Sequence, residues 1–493
     1  MPGLIIPFPT ELRPRLPTIV GNVDYLTLRQ RLEQIDELLR TAGVEKDFVE
    51  RALQGWRRKG ARRPTALEQE KFQGRSRRAL RCNLLRTLLQ EDHRGFSCAL
   101  AGNPLYQWFC LIDAVDQVRV PSKSELQRFA HWLAAAQLRP LLDGLLVAGR
   151  NRPQELALEK AVELDDYFLD TTGLKANVHM PVDWVLLRDG TRTLMKAVQL
   201  IRQEGLKGRM RPPEEFLRQS NRLCIEMTHT RRKPDTQKAR KRVLRQMKKR
   251  VKVVARHARG HRQLLDEQWE KTRWTRPQAQ QVLRRIDQVL ELLPRAQKQA
   301  HERIIGGRLV DNAEKILSLY EPDIQVLVRG KAGAEVEFGN TLLLGENRQG
   351  IILDYQIWRE QAPADTQLLI GSLERVVDGL KQSVSGVATD RGFASKANTA
   401  GLKEAEIFNG LCPKDPAELR ERMKEKRFVQ MQKRRSQTEA RISIIQRGFL
   451  GRPMRAKGFT HRELAVVWGS RTHNLWMFAR LRKKKTDPLS LAA

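Results

Sequence analysis

Two short segments hold a carboxylate where a strand should exclude one. In "YFLDTTGLKANVHMP", residues 167–181, the chain is apolar up to Asp170 and then runs on through β-branched residues that favour strand. In "SVSGVATDRGF", residues 383–393, an apolar strand stops abruptly, Asp390 follows just past its carboxyl end, and Gly392 lets the chain turn. A carboxylate in a strand with covered faces is costly unless something pairs with it. If the two strands are neighbours in one sheet, the acids repel each other unless a cation lies between them. All-oxygen ligands of this kind select Mg²⁺ or Mn²⁺. Spacing alone leaves a second reading open, in which Asp170 turns back on Thr171 and Asp390 caps the next helix.

Charge points to a partner. A formal +34, from 91 Lys+Arg against 57 Asp+Glu in 493 residues, is far beyond what solubility needs and is the footprint of a polyanion-binding surface. Nucleic acid is the expected partner. A membrane surface is the weaker alternative, since no apolar run of about 18 residues and no signal-peptide pattern is present. The expected location is the cytoplasm, on the nucleoid. The positive charge is densest in "RRKPDTQKARKRVLRQMKKRVKVVARHARGHR", residues 231–262, where charges of nearly one sign repel one another without a polyanion. Lys248, Lys249, Arg250 and Lys252 are accordingly read as phosphate-binding. His257 and His261 stand at i,i+4 in that run, but no third ligand is near, so they read as solvated or phosphate-facing. Five scattered cysteines without a CxxC pair read as reduced structural thiols, excluding a disulfide framework and a zinc ribbon.

The elements that must hold these groups follow from periodicity. Residues 1–70 read as a Pro-rich arm and a helical pair, "LTLRQRLEQIDELLRTAGVEKDFVERAL", broken at Gly43. Residues 71–160 read as an all-helical DNA-binding region; the basic faces of helices such as "SRRALRCNLLRTLLQ" suit a helix-turn-helix module, and Ser122 or Ser124 caps one of them. Residues 161–194 hold the first strand. Within 195–305, Leu244, Met247, Val251, Val254 and Ala258 are spaced 3, 4, 3, 4, a seam that a second periodic stretch covers as a long basic hairpin. Strand signals return in 306–480 with "DIQVLVRG", "AEVEFGNTLLLG" and "GIILDYQIW", followed by helix, strand and helix; 481–493 is a basic tail. This order predicts an α/β fold with a mixed sheet and a long helical insertion. The aromatic stripe of "VVWGSRTHNLWMFARL" reads as core, and Asp183 and Asp189 as structural.

The strings "FLDTTGLKANVHMPVDWVLLRDGTRTL", "RGKAGAEVEFGN", "GVATDRGFASKAN" and "RRSQTEARISIIQRGFLGR" resemble, in order, the motif regions of bacterial insertion-sequence transposases of the DDE class. The resemblance runs from about residue 75 to 482. It implies a ribonuclease-H-like core with Asp170, Asp390 and Glu439 as first, second and third acid. It also implies two divalent ions, Mg²⁺ or Mn²⁺, that activate an attacking oxygen and stabilise a leaving one. The implied partners are double-stranded DNA, as terminal inverted repeats and as target, and a homodimer or higher oligomer on that DNA. Many such transposases carry Tyr, Arg, Glu and Lys around the third acid; here Gln432, Arg435, Glu439 and Gln446 stand in those positions. Arg435 and Glu439 share a helix face at i,i+4. Arg435 and Lys331 are assigned to DNA with the basic run. Two rivals are a structure-selective nuclease on the same core and a noncatalytic DNA-binding derivative.

Overall fold

The computed structural model describes residues 12–59, 64–113, 117–230, 236–331 and 334–482; the side chains of 58, 59, 329–331, 334 and 335 fall outside that description. The expected basic tail lies beyond the described residues, apart from its first two positions.

Among the described residues seven helices come first: α1 (Val23–Thr41), α2 (Val44–Lys59), α3 (Ala66–Leu89), α4 (His93–Gly102), α5 (Pro104–Phe109), α6 (Lys123–Ala130) and α7 (Ala135–Asn151). Their starts follow local rules. Asn22, Thr65, Asp92, Asn103 and Ser122 each cap a helix by accepting from a backbone N–H. Apolar residues at helical spacing, such as Leu32, Ile35 and Leu39 of α1, face inward and join one core with the sheet described below. The basic face expected on α3 is corrected here. Arg77 and Arg81 are 3% and 0% exposed; Arg81 donates to Glu45 (2.7 Å) and Asp36 (2.5 Å), and Arg77 to Glu45 (3.1 Å). These cations neutralise buried carboxylates and are not available to a phosphate.

The sheet follows. Strand β1 (Asp166–Lys175) leads into four helices, α8 (Asp183–Gln203), α9 (Pro213–His229), α10 (Thr236–Gln268) and α11 (Arg276–Ile304). The chain then returns as β2 (Gln325–Lys331), β3 (Ala334–Asn347), β4 (Ile352–Ile357), α12 (Leu369–Leu380), β5 (Gly386–Ala388), α13 (Lys396–Glu404), β6 (Phe408–Asn409), α14 (Pro416–Arg422), α15 (Lys426–Ile445), a π-helical turn (Gln446–Leu450) and α16 (Phe459–Leu481). Among the described residues the six strands form one mixed sheet in the order β2-β3-β1-β5-β6, with β4 also on β3. β1 runs antiparallel to β3 and parallel to β5, and β5 runs parallel to β6. The fold is therefore α/β.

Helices α8 to α11 pack on one another around a second core, separate from that of the sheet. Leu244, Met247, Val251, Val254 and Ala258 are all buried in it, as a 3,4 seam requires. The boundary expected at 194/195 falls inside α8, so the helical insertion begins at Asp183. Asp183 itself accepts from Gln299 (2.8 Å) and Arg303 (3.0 Å), tying the start of α8 to the end of α11. His261 is also corrected: it is buried, with Nδ1 on the His257 carbonyl (2.8 Å) and Nε2 on the Gly208 N–H (3.4 Å), not solvated. No described helix is long and apolar enough to cross a membrane.

Candidate active site

Strand alternation decides which way Asp170 faces. Side chains two apart share a face, and both neighbours of Asp170 on its face meet α15 or the π-helical turn that continues it. Phe168 clusters with Met431 and lies under the Arg434 guanidinium (4.8 Å), while Thr172 accepts from Gln446 (3.0 Å). Asp170, between them, faces the same helix. Asp390 is placed by the parallel pairing of β1 and β5, whose last paired residues are Phe168 and Ala388. Both aspartates stand two residues beyond that couple, Asp170 within β1 and Asp390 just past the end of β5.

Helix α15 supplies the third acid. Gln432, Arg435, Glu439, Ile442 and Gln446 lie on one helical face. The residues at its two ends grip the strands that carry the aspartates. Gln432 donates to the carbonyls of Thr389 (3.1 Å) and Gly410 (2.6 Å), and Gln446 to Thr172 Oγ1 (3.0 Å) and the Gly173 carbonyl (3.1 Å). The two glutamines thus brace the helix beside Asp390 and beside Asp170. Glu439 lies between these braces and is exposed. Glu404, which competes in the sequence with Glu439 as third acid, lies at the exposed end of α13 and is not among the groups that perturb Asp170.

The electrostatics of the three acids are linked. Burial first, then the negative charge of Asp390 and, less, that of Glu439 push the Asp170 carboxyl up to about 7, against the opposing Thr171 N–H and Arg435 charge. Both local contacts of the alternative reading are present: the Thr171 N–H donates to Asp170 Oδ1 (2.8 Å) and the Gly392 N–H to Asp390 Oδ1 (2.9 Å). Each uses one carboxylate oxygen and leaves the other free of these contacts. Among the described residues, no three His, Cys, Asp or Glu side chains already stand at metal-ligand spacing. The Arg435 Nε is buried without a hydrogen-bond partner.

Two residues that the sequence reading passed over shape this site. Asp365, at the turn before α12, accepts from Thr171 Oγ1 (3.1 Å), and burial raises its carboxyl above the usual range with Asp390 adding to the effect. A Cβ on Gly392 would lie 2.9 Å from Asp365 Oδ2 and 3.1 Å from Asp390 Oδ1, so the absent side chain keeps the space between these carboxylates open. Glu346, on β3 and 0% exposed, accepts from Thr438 Oγ1 (2.9 Å), Arg441 Nε (3.0 Å) and Arg434 Nη1 (3.1 Å). Arg434, Thr438 and Arg441 form a second stripe of α15, spaced 4 and 3, and that stripe signalled the acid only in hindsight.

Arg441 reaches on to His473 of α16, whose Nε2 is 3.3 Å from Arg441 Nη1. Burial, and then the Arg441 charge, lower the His473 imidazole to about 3. An unfolded chain releases it to about 6.5 and binds the proton more readily, so this stability is intact above pH 6.5 and lost as pH falls toward 3. At pH 5 the loss is about 2 kcal/mol. Urea titrations should show the gap between wild type and His473→Gln narrowing by that amount from pH 7.5 to 5; a constant gap contradicts it.

The remaining assigned residues lie apart from the acids in sequence and element. On α10, Lys249, Arg250 and Lys252 are exposed, whereas Lys248 is half-buried and donates to His301 Nδ1 (3.2 Å). Lys331 ends β2, and its side chain lies outside the described residues. The chain matches no protein-family model, no curated protein and no solved structure.

Proposed function

We propose that the chain is a DNA transposase of the DDE class, cleaving strands at element ends and joining them to target DNA. The observation that carries this reading is the placement of Asp170 on β1 and of Asp390 just past the end of its parallel neighbour β5, with Glu439 on a helix braced beside both, so that both other acids press on the Asp170 carboxyl. The mixed sheet and the long insertion after its first strand are consistent with the ribonuclease-H-like core that the motif resemblance implies. The donor set fits divalent cations: every side chain offered is a carboxylate oxygen, and the mutual repulsion felt at Asp170 is what a cation would relieve. Bound at these acids, such ions supply activation of the attacking oxygen and charge stabilisation of the leaving one.

The chain's own groups do the positioning. Arg435, whose charge acts on Asp170, is the cation beside the acids that would take a phosphate oxygen of the DNA strand. Gln432 and Gln446 hold the helix where the family pattern has Tyr and Lys, their side-chain amides donating hydrogen bonds to backbone carbonyls and to Thr172 Oγ1. No Ser or Tyr nucleophile is required, since water and then the freed 3′-hydroxyl attack in turn.

The test is a two-stage assay with Mg²⁺, the purified chain, duplexes carrying the DNA that flanks its coding region, and a supercoiled target. The reading requires cleaved 3′ ends that become covalently joined to the target. Ends that are cut and never joined favour the nuclease alternative, and binding without metal-dependent cutting favours the noncatalytic one.

The basic hairpin makes a separate, quantitative prediction. Each phosphate contact contributes about −0.9 to the slope of log K against log salt on duplex DNA. Replacing Lys248, Lys249, Arg250 and Lys252 by Gln should shallow that slope by about 3 rather than 4, because Lys248 is already engaged with His301. An unchanged slope at unchanged affinity would make this face merely solvated.

A further inference from the structure

We propose a second anion site, for a phosphate group, in the cavity where α3, α4 and α6 meet the segment joining α15 to α16. The cavity has a volume of about 260 Å³, and Arg86, His93, His131, Arg455, His461 and Trp468 are among its lining residues. That is just below the roughly 300–1,000 Å³ usual for small-molecule pockets, and larger than a phosphate group alone needs.

Unmet hydrogen bonds identify the ligand's chemistry. Arg86 Nε, His93 Nε2 and Trp468 Nε1 are each buried without a partner, and Trp468 is 2% exposed. Native interiors leave few such atoms, because each forfeits its hydration for nothing. Arginine Nε and indole Nε1 can only donate. Whatever completes them must therefore be an acceptor, and two guanidinium groups, set against two carboxylates that are engaged or at the rim, make it an anion; burial and the Arg86 charge lower the His93 imidazole to about 4, so it adds no positive charge at neutral pH. One of those carboxylates, Asp92, is committed to the Arg94 and Gly95 N–H groups at the start of α4 (both 2.8 Å). The other, Glu91, is exposed at the rim. His131 and His461 meet edge to face with ring centroids 4.8 Å apart, which brings the α6 and α16 walls together.

The position links this cavity to the acids without making it part of them. Arg455 donates to the Gln90 carbonyl (2.9 Å), and Gln90 donates in turn to the carbonyl of Arg447 in the π-helical turn. The residue before Arg447 is Gln446, the brace beside Asp170. An anion held here would fasten the amino-terminal helices to the end of the helix that carries Glu439. Its source is either a backbone phosphate of bound duplex or a free phosphate ester, and the chemistry of recognition is the same for both.

The test is isothermal titration of the full-length chain with inorganic phosphate at low ionic strength, for wild type, Arg86→Met, Arg455→Gln and Lys249→Gln. Saturable one-site binding is expected in wild type and Lys249→Gln, weakened about tenfold or more in the other two by loss of a charge-assisted hydrogen bond. Circular dichroism checks the fold, and Arg455 is exposed, so its variant keeps the test valid if Arg86→Met unfolds. Repeating the titration on chain saturated with a short duplex separates the sources: abolished binding assigns the site to the DNA backbone, retained binding to a free ester. Absence of saturable binding in wild type, or equal affinity in wild type and Arg455→Gln, overturns the proposal and leaves a water-filled cavity.

Discussion

Asp170→Asn and Asp390→Asn should each reduce Mg²⁺-dependent strand cleavage by about 10³-fold or more, which corresponds to about 4 kcal/mol of lost transition-state stabilisation. Each substitution keeps the size of the side chain and removes the charge that would hold a cation. DNA affinity should stay nearly unchanged, because phosphate contacts come from Lys and Arg. Stability supplies an independent readout with the opposite sign. Asp170 is pressed by burial and by Asp390, so Asp170→Asn relieves repulsion in the metal-free chain and should unfold at the same urea concentration or a higher one. Full cleavage by either variant would remove that aspartate from the chemistry. A large fall in stability would make Asp170 a structural residue instead.

Glu346→Ala should cost about 3–5 kcal/mol of stability, the usual effect of removing one partner from a buried ion pair. Arg434 and Arg441 are 11% and 18% exposed at the side chain and both converge on this carboxylate. Without it, two nearly buried guanidinium groups face each other, and Thr438 loses its acceptor. The damage should concentrate in α15, because all three donors lie on it. At temperatures where the variant remains folded, cleavage should fall while DNA binding persists, since Glu439 follows Thr438 directly and shares its anchorage. Urea unfolding with a loss below about 1 kcal/mol would show that the helix is held by its apolar contacts and its two glutamines alone.

The parts of this arrangement legible in the sequence are those with short-range signatures. Asp170 stands out because a strand pattern surrounds it, and Asp390 because a strand stops two residues before it and a glycine follows soon after. The seam from Leu244 to Ala258 was legible because helical spacing is a local property. Glu439 carried no such signature and came from motif resemblance. Glu346 and Asp365 were invisible because their meaning lies in partners far along the chain: Arg434 and Arg441 are 88 and 95 residues from Glu346, and Thr171 is 194 from Asp365. Arg77 and Arg81 were misread for a related reason. Composition counts their charge but does not tell that Glu45 and Asp36 fold over them. The insertion's start was misplaced because α8 is continuous across 194, and packing assigns it to the second core.

The central claim, that Asp170, Asp390 and Glu439 together hold divalent cations at a DNA strand, is tested most directly by counting bound Mn²⁺. Electron paramagnetic resonance titration of the chain on a duplex of its flanking DNA reads free Mn²⁺ and so the number bound. About two ions per chain are expected in wild type, with loss of tight binding in Asp170→Asn and Asp390→Asn at unchanged DNA occupancy. The same number of ions bound with the same affinity in wild type and both variants would contradict the claim.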